Sequence, residues 1–241
     1  IGSVEKFITD NAWDQGWVKP ITPRRELEES VGIIGAGPAG LAAAEELRKA
    51  GYQVHIYDRH DRAGGLLIYG IPGFKLEKDL VGRRTGRLEQ SGITFHLDFE
   101  VGGEAGLDEL REKHDAILIA TGVYRARGLK VPGVGLGNIR EALDYLIASN
   151  RKGLGDTVPE FESGALDADG KNVVVIGGGD TAMDCVRTAV RQGAKSVKCL
   201  YRRDRANMPG SVREVQNAEE EGVEFVWLSG PEAFLGDKDV E

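Results

Sequence analysis

Short apolar runs alternate with stretches of helical spacing along this chain, and the alternation predicts its layers. Residues 31–34, 52–57, 93–97, 115–120, 173–176, 196–201 and 223–228 are runs of buried-strand length. Residues 38–50, 76–89, 139–149 and 212–222, and the stretch between Gly179 and Gly193, space their apolar positions as helices do. Strands alternating with helices predict an α/β fold with a mainly parallel sheet. Residues 115–120 (DAILIA) read as a strand buried on both faces. Residues 151–170 are rich in Gly, Asp and Glu and read as a linker. Trp13 and Trp17 stand four apart, which predicts one face of a short helix packed on a neighbouring domain.

The pattern contains a long-range repeat. Residues 31–40 read VGIIGAGPAG and residues 173–182 read VVVIGGGDTA. Each is a strand, a glycine turn and a helix start. Gly51 and Gly193 keep the same offset and end the two helices, and a strand follows each. Two copies of strand, glycine turn, helix and strand define two Rossmann-like, three-layer dinucleotide-binding domains. In the first turn, Gly35 permits the bend, Gly37 lets a pyrophosphate touch the backbone, and Gly40 lets the helix pack closely on the strand. Pro38 suits a helix start, where its missing N–H has no partner to lose. Asp58 ends the next strand, where a carboxylate accepts ribose hydroxyls and repels a 2′-phosphate. Arg62-Ala63-Gly64-Gly65-Leu66 and Ala120-Thr121-Gly122 are similar to the secondary motifs of two-dinucleotide flavoproteins, so the first copy is expected to hold FAD. The second turn is Gly177-x-Gly179-x-x-Ala182, and Arg202-Arg203 stand past its following strand where the first copy has Asp58. Guanidinium groups match a 2′-phosphate bidentately, which predicts NADP(H) there. Asp180 is expected to cap its own helix. A flavin half and an NADP half together imply hydride transfer between cofactors, which demands no catalytic side chain.

Composition narrows the classes further. Glycine is 34 of 241 residues, about twice the usual ~7% share, and part of the surplus lies in these turns. A net charge of -8 disfavours a nucleic-acid or anionic-membrane binder. No apolar run is long enough to span a bilayer. Cys185 and Cys199 cannot build a disulfide framework or a metal cage, are not a C-x-x-C pair, and read as small core residues. Low cysteine use fits a reducing compartment, here the cytoplasm. His55 and His96 read as strand positions, His60 and His114 as surface, and no metal site is expected.

The string from Gly32 to Leu76, the later ILIATG, and GGGDTAMDC with YRRDRANMPGSVREV resemble the small (beta) subunits of NADPH-dependent glutamate synthase over nearly the whole chain. Related modules occur in dihydropyrimidine dehydrogenase and in ferredoxin-NADP and adrenodoxin reductases, and these, or a nucleotide-binding module without turnover, are the alternatives. The resemblance implies that Gly35, Gly37, Gly40, Asp58, Gly65, Leu66 and Thr121 contact FAD, with Pro38, Ala39, Arg59, Val101, Ala120 and Gly122 completing that set. It places Ile71 and Pro72 near the isoalloxazine, with Lys75 close by. It assigns Gly177, Gly179, Asp180, Thr181, Ala182, Arg202 and Arg203 to NADPH and sets Glu214 at its ribose. It implies a large (alpha) subunit as partner, reached through iron–sulfur clusters outside this chain, and the synthesis of glutamate. The implied organisation is residues 1–28 leading out of an iron–sulfur domain, an incomplete FAD domain at 29–150, a linker at 151–170, and an incomplete NADPH domain at 171–241. Gly236-Asp237 stands in another context than the Gly-Asp flavin motif of the family.

Overall fold

Alternate residues of four short strands decide the layers of the N-terminal half. The computed structural model describes residues 2–103, 106–125 and 128–240. Strands β1 (Ser30–Ile34), β2 (Gln53–Tyr57), β3 (Thr94–His96) and β4 (Ala116–Ile119) form a parallel sheet in the order β3-β2-β1-β4. Ile33 pairs with Ile56 and Leu118 in register. Val31, Ile33, Val54 and Ile56 point to one face and are buried with Leu41, Ala44, Leu88 and Ile93. These last come from α2 (Pro38–Ala50), α4 (Lys78–Gln90) and the residue before β3. Burial of each large aliphatic side chain contributes about 1.5–3 kcal/mol. Ile34 and Tyr57 point the other way and pack with Leu110 of α5 (Leu107–Lys113), and with Phe99, Val101 and Ile117.

That second face also carries a histidine cluster. His114 is buried, not a surface residue as its polarity suggested. Its Nδ1 lies 3.0 Å from the Ser30 hydroxyl and its Nε2 2.9 Å from the Tyr57 hydroxyl. Gly32 leaves room for it, since a β-carbon there would press on the His114 ring. His55 Nδ1 and His96 Nε2 are 3.2 Å apart, with rings 15° from parallel and centroids 5.5 Å apart. The two nitrogens therefore face each other along one line, the geometry of an N–H···N bond.

Two expectations for this unit change. The apolar β4 is an edge strand, with Ile119 63% exposed, because the strand order among the described residues gives it one neighbour. Helix α1 (Gly2–Asp14) ends before Trp17, which is 68% exposed, so the two tryptophans do not share a helix face. Arg83 fastens α1 instead, bonding Asp10 at 2.9 Å and lying 4.7 Å from the centre of the Trp13 ring.

The second unit is built on β5 (Asn172–Ile176), β6 (Ser196–Tyr201) and β7 (Glu224–Trp227), parallel in that order. Helix α8 (Asp180–Arg191) is buried along most of its length, and Met183, Val186 and Ala189 pack on Val197, Cys199 and Val223. Helix α9 (Val212–Glu220) adds Val215 and Ala218. Helix α6 (Ala142–Gly153) packs on α8, and Tyr145 donates to Gln192 at 2.7 Å. The chain divides into compact units at Ile1–Ile68 with Glu77–Gly122 and at Tyr69–Leu76 with Val123–Glu241. The division thus falls at Gly122 and not in the 151–170 stretch. That stretch holds the end of α6 and a short α7 (Pro159–Glu162), and it buries Val158 and Ala168. The short α3 (Leu66–Tyr69) stands where the chain first passes between units.

Candidate dinucleotide-binding sites

The first glycine turn joins β1 to α2. The Gly35 N–H donates to the Tyr57 carbonyl at 2.8 Å, and the Gly64 N–H donates to the Ala36 carbonyl at 2.8 Å. Gly35 has φ +111°, and a β-carbon on it would collide with the carbonyl of Ala120. A β-carbon on Gly40 would collide with the carbonyl of Gly35. Packing thus explains both glycines. It does not explain Gly37, where a β-carbon would meet no protein atom within 4 Å. Gly37 is also the N-cap of α2 and gives it no side-chain cap. Open space over an uncapped helix N-terminus is the arrangement that receives a pyrophosphate. The Asp58 carboxylate accepts from Ala36 N at 2.6 Å and from His60 N at 2.9 Å, each oxygen keeping a free lone pair.

Of the other residues expected here, Pro38 and Ala39 are exposed in the first turn of α2, and Gly65 and Leu66 follow the Gly64 contact. Ala120, Thr121 and Gly122 leave the end of β4, and Ala120 N bonds the Ile34 carbonyl at 2.8 Å. Arg59 is exposed one residue past Asp58. Val101 is part of the outer-face cluster. Ile71, Pro72 and Lys75 belong to the second unit.

The second turn repeats two backbone bonds of the first. Gly177 N donates to the Leu200 carbonyl at 3.0 Å, and Gly210 N donates to the Gly178 carbonyl at 2.8 Å. Gly179 is an N-cap without a side-chain cap, and a β-carbon on it would also meet nothing within 4 Å. The bonds correct the alignment of the two copies by one residue. Ile34 pairs with Tyr57, and Ile176 pairs with Leu200. Tyr201, not Arg202, therefore stands in the place of Asp58, and Arg202 in the place of Arg59. The Tyr201 ring occupies the space where a β-carbon of Gly178 would lie. Arg202 and Arg203 follow it, both exposed, with no hydrogen-bond or ion-pair partner for either side chain among the described residues.

Asp180 does not cap its own helix. Its carboxylate accepts from the Ser211 N–H at 3.0 Å, at the start of α9. Ser211 in turn caps α9, its hydroxyl accepting from Glu214 N at 3.2 Å. In a full capping box Glu214 would reach back to Ser211 N. Asp180 fills that role, and Glu214 is free to bond Arg187 at 2.6 Å and Lys75 at 3.3 Å. Lys75 also bonds Asp184 at 2.7 Å. Burial opposes the charge on Lys75, but Asp184 and Glu214 hold its pKa above the ordinary lysine range. Thr181 is exposed beside Asp180, and Ala182 is buried.

Burial pushes the Cys185 thiol up to about 12 and the Cys199 thiol up to about 11, so both are neutral core residues. Among the described residues no group of three or more His, Cys, Asp or Glu is placed to hold a metal ion. No helix among them is long and apolar enough to cross a membrane.

Two glycine turns of this build, each at the carboxyl end of a parallel sheet, define a two-dinucleotide oxidoreductase fold. The chain matches the pyridine nucleotide-disulphide oxidoreductase family over residues 29–241 and belongs to it. Its resemblance to glutamate synthase small subunits is borne out at high identity. It is 70% identical to the glutamate synthase [NADPH] small chain of Azospirillum brasilense, over 98% of this chain and 49% of that one. It is 47% identical to the putative oxidoreductase AegA of Escherichia coli, over 97% of this chain and 35% of that one. The chain thus spans about half or less of the length of these relatives. In fold it is similar to FprA of Mycobacterium tuberculosis, solved with NADPH, at TM-score 0.75 and 20% identity, covering 90% of this chain and 63% of that one.

Proposed function

We propose that this chain is the electron-input module of a glutamate synthase, which takes reducing equivalents from NADPH onto FAD and delivers them to a large-subunit partner. One observation carries the reading. Two glycine turns keep open space over an uncapped helix; in the first a carboxylate from the end of the next strand bonds the turn, while the next strand of the second is followed by two arginines with no partner among the described residues. The residues fit the two groups. The free N–H groups of Ala39 and Gly40 would face the FAD pyrophosphate, and Asp58 would accept from its ribose. The N-terminus of α8, with the Thr181 hydroxyl, would face the NADPH pyrophosphate, and Arg202 and Arg203 would grip its 2′-phosphate. When bound, the nicotinamide supplies a hydride that the flavin accepts. The chain's own task is to hold both groups and to select the phosphorylated nucleotide. The same reading places the protein in the cytoplasm, in keeping with its two buried free thiols.

The test is a visible spectrum of the protein carrying this chain, followed by anaerobic NADPH and, separately, NADH. Flavin bands should bleach with NADPH at far lower concentration than with NADH. A protein that holds no flavin, takes up none from added FAD and leaves NADPH unoxidised with ferricyanide sinks the reading. Co-purification with a large chain that forms glutamate from glutamine and 2-oxoglutarate tests the partner.

A further inference from the structure

The three arginines that follow β6 are used differently. Arg202 and Arg203 reach into solvent, whereas Arg205 makes a bidentate pair with Glu219 of α9, both N···O distances being 2.6 Å. The segment from 202 to 210 is tied at further points. Leu228 N donates to the Arg203 carbonyl at 3.2 Å, and the Tyr201 hydroxyl donates to the Asn207 carbonyl at 3.1 Å. The Asp204 carboxylate accepts from Asn207 N and from its Nδ2 at 2.9 and 2.8 Å. The far end returns to the glycine turn itself through Gly210 N and the Gly178 carbonyl. A surface loop that carries two long, unpaired cationic side chains is thus fastened on several sides. The Arg205–Glu219 pair is its only ion pair among the described residues.

We propose that Arg205 and Glu219 are positioning residues for the Arg202-Arg203 pair and so help set the preference for a 2′-phosphorylated nucleotide. The proposal rests on the reading that this pair takes the 2′-phosphate. Ordering a loop at the moment of binding costs conformational entropy, and a loop already held costs less. Fork-to-fork geometry fixes the direction of a guanidinium, and through it the backbone two residues from Arg203. An exposed ion pair is weak, so the effect is modest and specific: a loss of about 2- to 5-fold in affinity.

The experiment titrates the whole chain with 2′,5′-ADP and with 5′-AMP by calorimetry, for wild type, Arg203→Glu, Arg205→Met, Glu219→Gln and the double variant. Thermal melts check that each variant is folded. Arg205→Met and Glu219→Gln should each weaken 2′,5′-ADP by about the same few-fold factor, and the double variant should be no worse than either. Binding of 5′-AMP should stay unchanged, and Arg205→Lys should recover part of the loss. If Glu219→Gln is neutral or tightens the ligand while Arg205→Met matches Arg203→Glu, Arg205 is itself a phosphate ligand and the proposal fails. Additive losses, or equal losses with 5′-AMP, also overturn it. A wild type that takes both nucleotides equally, or an Arg203→Glu variant without effect, overturns the underlying reading, and the proposal with it.

Discussion

Packing among the described residues gives Gly37 and Gly179 no reason to be glycine, since a β-carbon on either would meet no atom of theirs within 4 Å. Neither has φ in the left-handed region, at -75° and -91°. A residue left small with space over it points to a ligand that comes close. Gly37→Val should therefore leave the fold intact and abolish FAD retention, read as the flavin-to-protein absorbance ratio. Undiminished flavin in a folded variant removes Gly37 from the site. At the second turn, Arg203→Glu should raise the KM for NADPH by about 100-fold or more, the scale of losing a charge-assisted bidentate pair, and change NADH little. Equal losses for both nucleotides would show that the arginine does not read the 2′-phosphate. Residue identity made the glycines, Asp58 and the arginines legible in the sequence. The roles of Asp180 and Tyr201 were not legible, because each depends on what a distant element presents: Ser211 N–H for one, the bare backbone of Gly178 for the other.

At the scale of elements, the outer face of the first sheet carries three histidines beside its apolar cluster, where a parallel strand is expected to be apolar throughout. His55, His96 and His114 all have pKa values below the ordinary imidazole range, chiefly through burial, with Lys113 adding to each. Asp115 opposes the shift of His114. The folded cluster therefore binds fewer protons than the unfolded chain as pH falls below about 6.5. By linkage, its contribution is complete above that value and is lost as pH falls through the folded pKa values. The urea midpoint of the first unit should fall between pH 7.5 and 5.5, and His96→Gln should lessen the fall. A midpoint independent of pH in that window contradicts the assignment. Most strand and helix positions were legible from apolar spacing, with ends displaced by two residues at most, except α6, which begins three residues and ends four residues later than expected. What the spacing could not show was that β4 has one neighbour, or that His114 is buried over Gly32, because both follow from strand order.

Across the whole molecule, one strand–turn–helix–strand design occurs twice, with the second copy one residue longer before the end of its second strand. That single residue bears on any attempt to change the nucleotide preference. An acid placed at 202 would occupy the station of Arg59, past the turn, where it cannot reach the backbone that Asp58 reaches at Ala36. Arg202→Asp should accordingly lose NADPH without gaining NADH, and a gain in kcat/KM for NADH would refute the register. The station that matters is held by Tyr201, whose ring fills the space above Gly178. A switch to NADH at this site thus needs an acid at 201 together with a side chain at 178 to refill the gap. On the proposed reading of the site, neither change is useful without the other, and a preference for NADPH would be guarded by a two-mutation valley and not by the charge of the arginines alone.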